Sequence, residues 1–194
     1  MNETTKKLTT LGMICALAYL VMAIFRIPIM PTLPFLKYDP KDVILMIGGF
    51  MYGPIPGVLV IAVVALVEMV TVSETGIIGC LMNFLSSASF VCMAAWVYRK
   101  NHTKKGAIIG LVSGVLVMTA VMLVWNYLVT PIYMGYPRKA VAAMLLPGFL
   151  PFNLIKGSIN AGLTLLLYKP VVTTLRKAGL FPKEALISKD STLV

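Results

Sequence analysis

Three polar side chains lie on one face of the last hydrophobic segment of this sequence. Asn153, Lys156 and Asn160 are spaced by three and four residues, so an α-helix projects all three in the same direction. Amides and an ammonium arranged in this way can hydrogen-bond the polar edge of a ligand. The alternative is a lysine that extends toward the membrane interface while the asparagines bind neighbouring helices.

Two further polar residues stand inside apolar segments. Asn126, near the end of the fifth segment, adds a third amide at a similar depth. The hydrophobic pattern places two ionisable residues within membrane spans, Glu68 in the third segment and Lys156 in the sixth. A charged side chain inside a membrane is energetically costly, so such residues usually have a function. Glu68 could pair with Lys156, bind a cationic ligand or lie near water. A self-contained, ion-coupled secondary transporter is therefore one open alternative.

The composition indicates a membrane protein. Apolar residues make up 59% of the 194 residues and charged residues 12%, about half the share usual in soluble domains. The net charge of +10 comes from Lys and Arg residues at the two ends and between apolar segments. That placement is typical of cytoplasmic loops, and it argues for a lipid bilayer rather than a nucleic acid as the partner.

Six hydrophobic segments predict an all-α, polytopic membrane protein with one membrane domain. They cover residues 8–27, 41–52, 55–72, 76–98, 106–130 and 149–172, and a tail follows at 173–194. Prolines and glycines at 53–57 predict a tight turn between the second and third segments. We expect six transmembrane helices with both termini cytoplasmic, because five would put the basic loop at 99–105 and the basic tail on opposite sides.

Two connections are long, proline-rich and apolar, and the six-span arrangement puts both of them outside. They cover residues 28–40 and 131–148. Bulky residues in them, such as Leu36 and Tyr38, can cover a pocket between the helices. The alternative is that both connections lie in the membrane interface, where proline and tyrosine are also common.

Small residues recur at helical spacing in two segments. Gly106, Gly110 and Gly114 do so in the fifth segment, and Gly12 with Ala16 in the first. Small residues at this spacing let helices approach closely. Most such faces serve internal packing, but in a protein that docks a partner within the membrane one of them can be the docking face.

The sequence contains no recognisable apparatus of an enzyme. It lacks the G-x-x-x-x-G-K-[ST], H-E-x-x-H and G-x-S-x-G motifs, and its one histidine, His102, lies in a basic loop. The three cysteines lie inside apolar runs and form no C-x-x-C pair. We therefore expect no catalytic residue, no metal site and no ATP hydrolysis by this chain.

One stretch of sequence is similar to a known family. Residues 35–42 (FLKYDPKD), followed by an apolar run into GGFMYGP at 48–54, resemble the first outer loop and second helix of riboflavin-specific S components. These are the substrate-binding subunits of energy-coupling-factor (ECF) transporters of prokaryotes. Asn153-x-x-Lys156 resembles the ligand-binding pair of the same family, and the resemblance covers nearly the whole chain.

The resemblance implies an S-component fold in the prokaryotic plasma membrane, with riboflavin as the transported ligand and no cofactor. Asn126, Asn153 and Lys156 match positions expected to contact the polar groups of the flavin. Leu36 and other loop residues, Tyr38 among them, would cover the ring, and Glu68 stays a candidate contact. A second alternative is an S component for another vitamin, since Lys156 could bind the carboxylate of pantothenate or biotin.

The resemblance also implies partners. S components contact a transmembrane coupling (T) subunit, which two ATPase (A) subunits drive. Gly12, Ala16 and Ala23 of the first helix fit the face that makes this contact. The implied mechanism is toppling of the loaded subunit in the bilayer, which exposes the vitamin to the cytoplasm.

Overall fold

Seven α-helices and one π-helical turn make up most of the described protein. The computed structural model describes residues 2–30, 33, 36–73 and 75–178, so most of the predicted tail lies outside the described residues. The helices are α1 (Glu3–Ile24), α2 (Lys41–Tyr52), α3 (Pro54–Thr71), α4 (Gly76–Lys100), α5 (Lys104–Met134), α6 (Arg138–Met144) and α7 (Leu150–Lys177), and the π-turn is Leu145–Phe149. Two short strands, β1 (Ile27–Pro28) and β2 (Lys37–Tyr38), pair antiparallel, so the fold is mostly rather than wholly helical.

Five helical units are long and apolar enough to cross a membrane. They are α1, α3, α4, α5 and the continuous stretch Arg138–Leu175. Their outward faces carry large apolar side chains; Val70 is 80% exposed and Ile132 73% exposed. Faces of this kind require lipid rather than water as the surrounding solvent. By contrast α2 has 12 residues, and at about 1.5 Å per residue it is shorter than the hydrocarbon core.

The helices define two ends of the bundle. The described residues of three connections, 25–30, 33, 36–40, 72–73, 75 and 135–149, lie at the end where α1, α3 and α5 finish and α2, α4 and α7 begin. We call it the loop end. At the opposite end α2 and α3 meet at Gly53, whose φ of +87° favours glycine. Helix α3 begins with Pro54, a position at which the missing N–H breaks no helical hydrogen bond. The proline- and glycine-rich residues 53–57 therefore form a turn between two helices, as predicted, and not a kink within one.

Close packing of α4 against α5 forms the centre of the core. A Cβ atom on Gly110 would lie 2.7 Å from the carbonyl oxygen of Ala94, and one on Gly114 would lie 2.7 Å from that of Phe90. Any larger residue would push the two helices apart. Phe90 and Ala94 are fully buried in the main apolar cluster. The glycine face of α5 therefore serves internal packing.

The small residues of α1 have a different environment. Ile14, Ala18 and Met22 turn inward and are buried. Gly12 and Ala16 lie on the exposed side of the helix, and a Cβ atom on Gly12 would have no neighbour within 4 Å. Among the described residues, then, nothing packs closely on this face of α1 at Gly12.

Residues 131–148 are largely helical, although their prolines predicted a loop. Helix α5 continues to Met134, and α6 and the π-turn follow. Pro137 is the N-cap of α6, where a missing N–H breaks no helical hydrogen bond. Pro131 lies inside the last turn of α5, and Pro147 lies in the π-turn that joins α6 to α7. The prolines therefore interrupt the regular hydrogen bonding of this segment without preventing helix.

Candidate ligand-binding site

A cavity opens at the loop end of the bundle, between α3, α4, α5 and α7. Its wall combines charged, amide and apolar side chains, including Arg26, Leu36, Lys37, Asp39, Glu68, Met82, Asn83, Met122, Asn126, Phe152, Asn153 and Lys156. Five of the six residues that the sequence nominated as ligand contacts lie in this wall, and the exception is Tyr38. Positions more than a hundred residues apart along the chain thus meet at one site.

The polar face of α7 is buried, and it divides into two parts. Asn153 and Lys156 reach the cavity. Lys156 is 6% exposed and donates to Asp39 Oδ2 at 3.1 Å, so it does not extend toward the membrane interface. Asn160 lies behind the cavity wall, where it accepts from the Tyr38 hydroxyl at 2.9 Å and donates to Asp42 Oδ2 at 3.3 Å.

Tyr38 is therefore a support for the wall. Burial raises the pKa of its phenol, and the neighbouring Asp39 carboxylate raises it further. The phenol consequently keeps its proton and donates it to the Asn160 carbonyl. This bond ties β2, just before α2, to the middle of α7.

Glu68 lies in the cavity wall, where Lys41, Asn83 and Arg26 are its partners. Its Oε2 accepts from the Lys41 ammonium at 2.6 Å, and its Oε1 accepts from the Asn83 amide at 2.8 Å. Arg26 adds a third contact, with its guanidinium nitrogen 3.7 Å from Oε1. Of the alternatives for Glu68, direct pairing with Lys156 is not what the structure shows, because Lys156 donates to Asp39 instead.

Three buried charges were missed by the sequence reasoning. Asp39, Lys41 and Asp42 are 7%, 2% and 0% exposed. Lys41 is the first residue of the second apolar segment, a position from which the sequence predicts no burial. The sequence does show three ionisable residues close together at the start of this segment. Their burial, however, depends on how the helices pack and is visible only in the tertiary structure.

Six of the buried and half-buried charges form a chain of alternating sign. In order it contains Arg26, Glu68, Lys41, Asp39, Lys156 and Asp42, with successive separations of 3.7, 2.6, 3.9, 3.1 and 4.0 Å. Three cations and three carboxylates give a sum of zero. Each charge has at least one opposite neighbour, which is the condition under which burial of ions is tolerated.

Asp39 is held in its charged form. Burial alone would raise the pKa of its carboxyl, but the positive charges of Lys156 and Lys41 outweigh burial and hold the pKa below its ordinary value. The carboxylate is therefore ionised at neutral pH and can only accept hydrogen bonds. It is the link between Lys156 on α7 and Lys41 on α2.

The two amides of the wall are oriented by their own helices. Asn126 donates to the Met122 carbonyl at 2.7 Å and accepts from the Thr130 hydroxyl at 2.9 Å. Asn153 donates to the Phe149 carbonyl at 2.7 Å. An amide nitrogen carries two N–H groups, so one on each residue stays available to a molecule in the cavity.

The apolar part of the site comes from the two long connections. Leu33 and Leu36 pack with Val141, Phe149 and Phe152 in a small cluster at the loop end. Leu36 and Phe152 also line the cavity. The first connection thus packs onto the helical second connection and the start of α7.

This arrangement can bind a molecule, and its polar groups provide hydrogen bonds rather than a reactive centre. The described residues contain no group of three or more side chains placed to hold a metal ion. An apolar surface beside a few fixed polar groups is typical of sites for small organic ligands.

Comparison with known proteins places this geometry in a family. Residues 6–168 match the family model described as ECF transporter, substrate-specific component. The chain belongs to this family of S components. This match confirms the resemblance to S components that the sequence motifs indicated. The family consists of transport subunits, not of enzymes.

Individual relatives of the S component match over most of their lengths. The Riboflavin transporter RibU of Staphylococcus aureus (strain TCH60) is 32% identical over 182 residues, which cover 90% of this chain and 95% of that protein. The Riboflavin transporter FmnP of Bacillus subtilis (strain 168) is 30% identical over 79% of this chain and 85% of its own. A solved S component of a bacterial ECF transporter superposes with a TM-score of 0.75 at 32% identity, covering 89% of this S component and 99% of that chain.

Proposed function

We propose that this S component captures riboflavin and delivers it to the cytoplasm as the binding subunit of an ECF importer. The observation that carries the proposal is the cavity wall, where Lys156, Asn126 and Asn153 lie beside the apolar Leu36 and Phe152. Two relatives at or above 30% identity over most of this chain are named as riboflavin transporters.

The chemistry of the wall suits a flavin. The isoalloxazine ring is flat and largely apolar, and its pyrimidine edge offers two carbonyl acceptors and one N–H donor. Lys156 and the free N–H groups of the two amides supply donors for the carbonyls. Leu36 and Phe152 supply apolar contact for the ring. The six charges of the alternating chain cancel, and Lys37 adds one cation to the wall, so the wall has no excess of negative charge that would require a cationic ligand.

We propose a topology of six membrane spans with the loop end outside the cell. The short α2 counts as a span because it begins at the loop end and the turn at Gly53 that follows it lies at the opposite end of the bundle. The exposed basic residues Arg99, Lys100, Lys104 and Lys105 then lie in the cytoplasm, in accord with the positive-inside tendency. In this orientation the cavity faces the external medium of a prokaryotic cell.

Import requires partners that this chain does not supply. We propose that Gly12, Ala16 and Ala23 on the exposed face of α1 contact the coupling T subunit, which two ATPase subunits drive. Small exposed residues allow a second helix to approach closely. Toppling of the loaded subunit in the bilayer would then carry the cavity toward the cytoplasm.

The ion-coupled alternative would need a carboxylate that is free to bind a cation or a proton. Glu68 instead has the Lys41 ammonium at 2.6 Å and the Arg26 guanidinium at 3.7 Å. Both carboxylate oxygens of Glu68 are thus already occupied by basic and amide groups of the protein. This pairing counts against ion coupling through Glu68.

Titration of the purified protein with riboflavin tests the proposal. We expect quenching of flavin fluorescence at nanomolar concentration, with thiamine, pantothenate and biotin failing to compete. Absence of both quenching and a riboflavin-dependent thermal shift would refute riboflavin capture. Uptake into liposomes that contain this chain alone would support the self-contained transporter instead.

A further inference from the structure

A serine in the cavity wall has a hydroxyl that no protein group uses. Ser86 borders the cavity and is 6% exposed. Its backbone carbonyl accepts from the Ser89 hydroxyl at 3.0 Å, but its own hydroxyl forms no hydrogen bond with the described residues. The next residue, Ser87, differs in this respect, because its hydroxyl donates to the Asp42 carboxylate on α2.

The Ser86 hydroxyl is open to the cavity. Within the described part of the chain, the side-chain polar atoms that are enclosed and lack a partner belong to Asp39, Thr119 and Trp125. The Ser86 oxygen is not one of them, so part of the small exposed area of this residue lies on that oxygen. Because Ser86 borders the cavity, a molecule bound there can reach the hydroxyl.

One turn earlier on α4, Asn83 presents a second open group to the same cavity. Its nitrogen donates to Glu68 Oε1 at 2.8 Å, while the Lys41 ammonium donates to Oε2 at 2.6 Å. A carboxylate oxygen accepts hydrogen bonds, so the amide turns its nitrogen toward Glu68 and its carbonyl oxygen away. Asn83 Oδ1 has no hydrogen-bond partner among the described residues and is not an enclosed atom. Glu68 thus positions Asn83 as an acceptor.

Asn83 and Ser86 act from one face of α4. Side chains three residues apart on a helix are neighbours, with Cβ atoms about 5–6 Å apart. The Asn83 oxygen can only accept a hydrogen bond, whereas the Ser86 hydroxyl can both donate and accept. Hydroxyl groups that follow one another along a chain have the same two abilities and can meet both positions. The two residues therefore suit a polyol.

We propose that Asn83 and Ser86 form a subsite for the hydroxylated chain of the captured ligand, which in riboflavin is the ribityl group. The proposal rests on riboflavin as the ligand and extends the proposed function, which assigns partners to the flavin ring alone. Those partners belong to α5 and α7, so the chain has α4 to itself. An alkyl chain in the same place would leave Asn83 Oδ1 and the Ser86 hydroxyl unpaired. The subsite therefore selects flavins that carry hydroxyl groups on the chain.

The test compares riboflavin with a flavin that carries a plain pentyl chain in place of ribityl, by fluorescence titration. On the wild-type protein the pentyl flavin should bind about ten- to a hundredfold more weakly, because it leaves two polar groups unpaired. Ser86→Ala should weaken riboflavin binding about two- to tenfold, the range for one neutral hydrogen bond. Binding of the pentyl flavin should stay unchanged or become tighter. The preference for riboflavin therefore falls.

Asn83→Ala should lower the same preference by removing the other contact. Asn83 also donates to Glu68, so this variant can lose stability. Such a loss affects both flavins and cancels in the ratio of their dissociation constants. If Ser86→Ala does not fold, Ser86→Cys replaces it, since a thiol keeps the shape and is only a weak donor.

Ser113→Ala is the matched control. The Ser113 hydroxyl donates to the Gly110 carbonyl within α5 at 2.9 Å, and the residue is not part of the cavity wall. Both flavins should bind this variant as they bind the wild type.

A preference for riboflavin that stays unchanged in Ser86→Ala or in Asn83→Ala would overturn the subsite. Equal binding of the two flavins by the wild type would do so too, as would a loss of preference in Ser113→Ala as large as that at Ser86. A wild-type protein that binds neither flavin would overturn the proposed function instead.

Discussion

The Lys41 ammonium lies 2.6 Å from Oε2 of Glu68, which joins the first turn of α2 to the last turn of α3 at the loop end. Both side chains are almost completely buried. Lys41 also lies 3.9 Å from Asp39, so the pair is adjacent to the Lys156–Asp39 pair in the chain of alternating charges.

Lys41→Met should destabilise the fold by about 3–5 kcal/mol, because it leaves the Glu68 carboxylate buried without its closest cation. Lys41→Met with Glu68→Gln should recover much of the loss, since no uncompensated charge is left. Unfolding in detergent measures both effects. Lys105→Met is the control, because Lys105 is exposed at the opposite end. Equal losses in the single and double variants would contradict the role given to the pair.

Lys156→Ala should weaken riboflavin binding by about 1.5–3 kcal/mol, as expected for the loss of a charged hydrogen bond to the ligand. Lys169→Ala removes an exposed lysine of the same helix and should leave the dissociation constant unchanged. Fluorescence quenching provides both constants. An unaltered affinity in Lys156→Ala would mean that the ammonium serves only its carboxylate neighbours.

Asn153→Ala should weaken riboflavin binding by about 0.5–1.5 kcal/mol through the loss of a neutral hydrogen bond. Its matched control is Ser158→Ala, on the exposed side of α7. The measurement is again a binding titration, with thermal unfolding to verify that both variants are folded. A larger effect at Ser158 than at Asn153 would place the ligand elsewhere.

Two glycine substitutions should separate internal packing from partner docking. Gly110→Val should lower stability by about 1–3 kcal/mol, since its Cβ atom would meet the Ala94 backbone. Gly12→Val should leave stability and riboflavin binding unchanged but reduce ATP-driven uptake by the reconstituted complex. Normal uptake with Gly12→Val would argue that this face of α1 contacts lipid only.

The lowered pKa of Asp39 predicts how acid affects stability. A carboxyl whose pKa is lower in the folded state stabilises the fold fully above its ordinary value of 3.8, and the stabilisation is lost as the pH falls through the lower folded value. The difference in melting temperature between the wild type and Asp39→Asn should therefore be constant from neutral pH to about pH 5 and shrink in stronger acid. A difference that already shrinks near pH 6 would mean that Asp39 is not held ionised.

Local sequence patterns predicted the long helices and the turn between α2 and α3. Apolar length located the long helices, and the Gly53–Pro54 pair located the turn that begins α3. The 131–148 connection was misjudged, because proline marks a break in a helix without excluding a further helix beyond it. Residues 138–144 are too short and too weakly periodic to be recognised as α6 from sequence alone.

By itself the sequence determined that Asn153, Lys156 and Asn160 share one face of a helix, because helical periodicity depends only on spacing along the chain. It could not determine what that face meets. Lys156 bonds Asp39 across 117 residues, and Asn160 bonds Tyr38 across 122. Such contacts depend on how the helices pack, and periodicity carries no information about the partner helix. Tertiary structure alone decided that Asp39, Lys41 and Asp42 turn inward, since each buried charge is stable there only beside an opposite charge from another element.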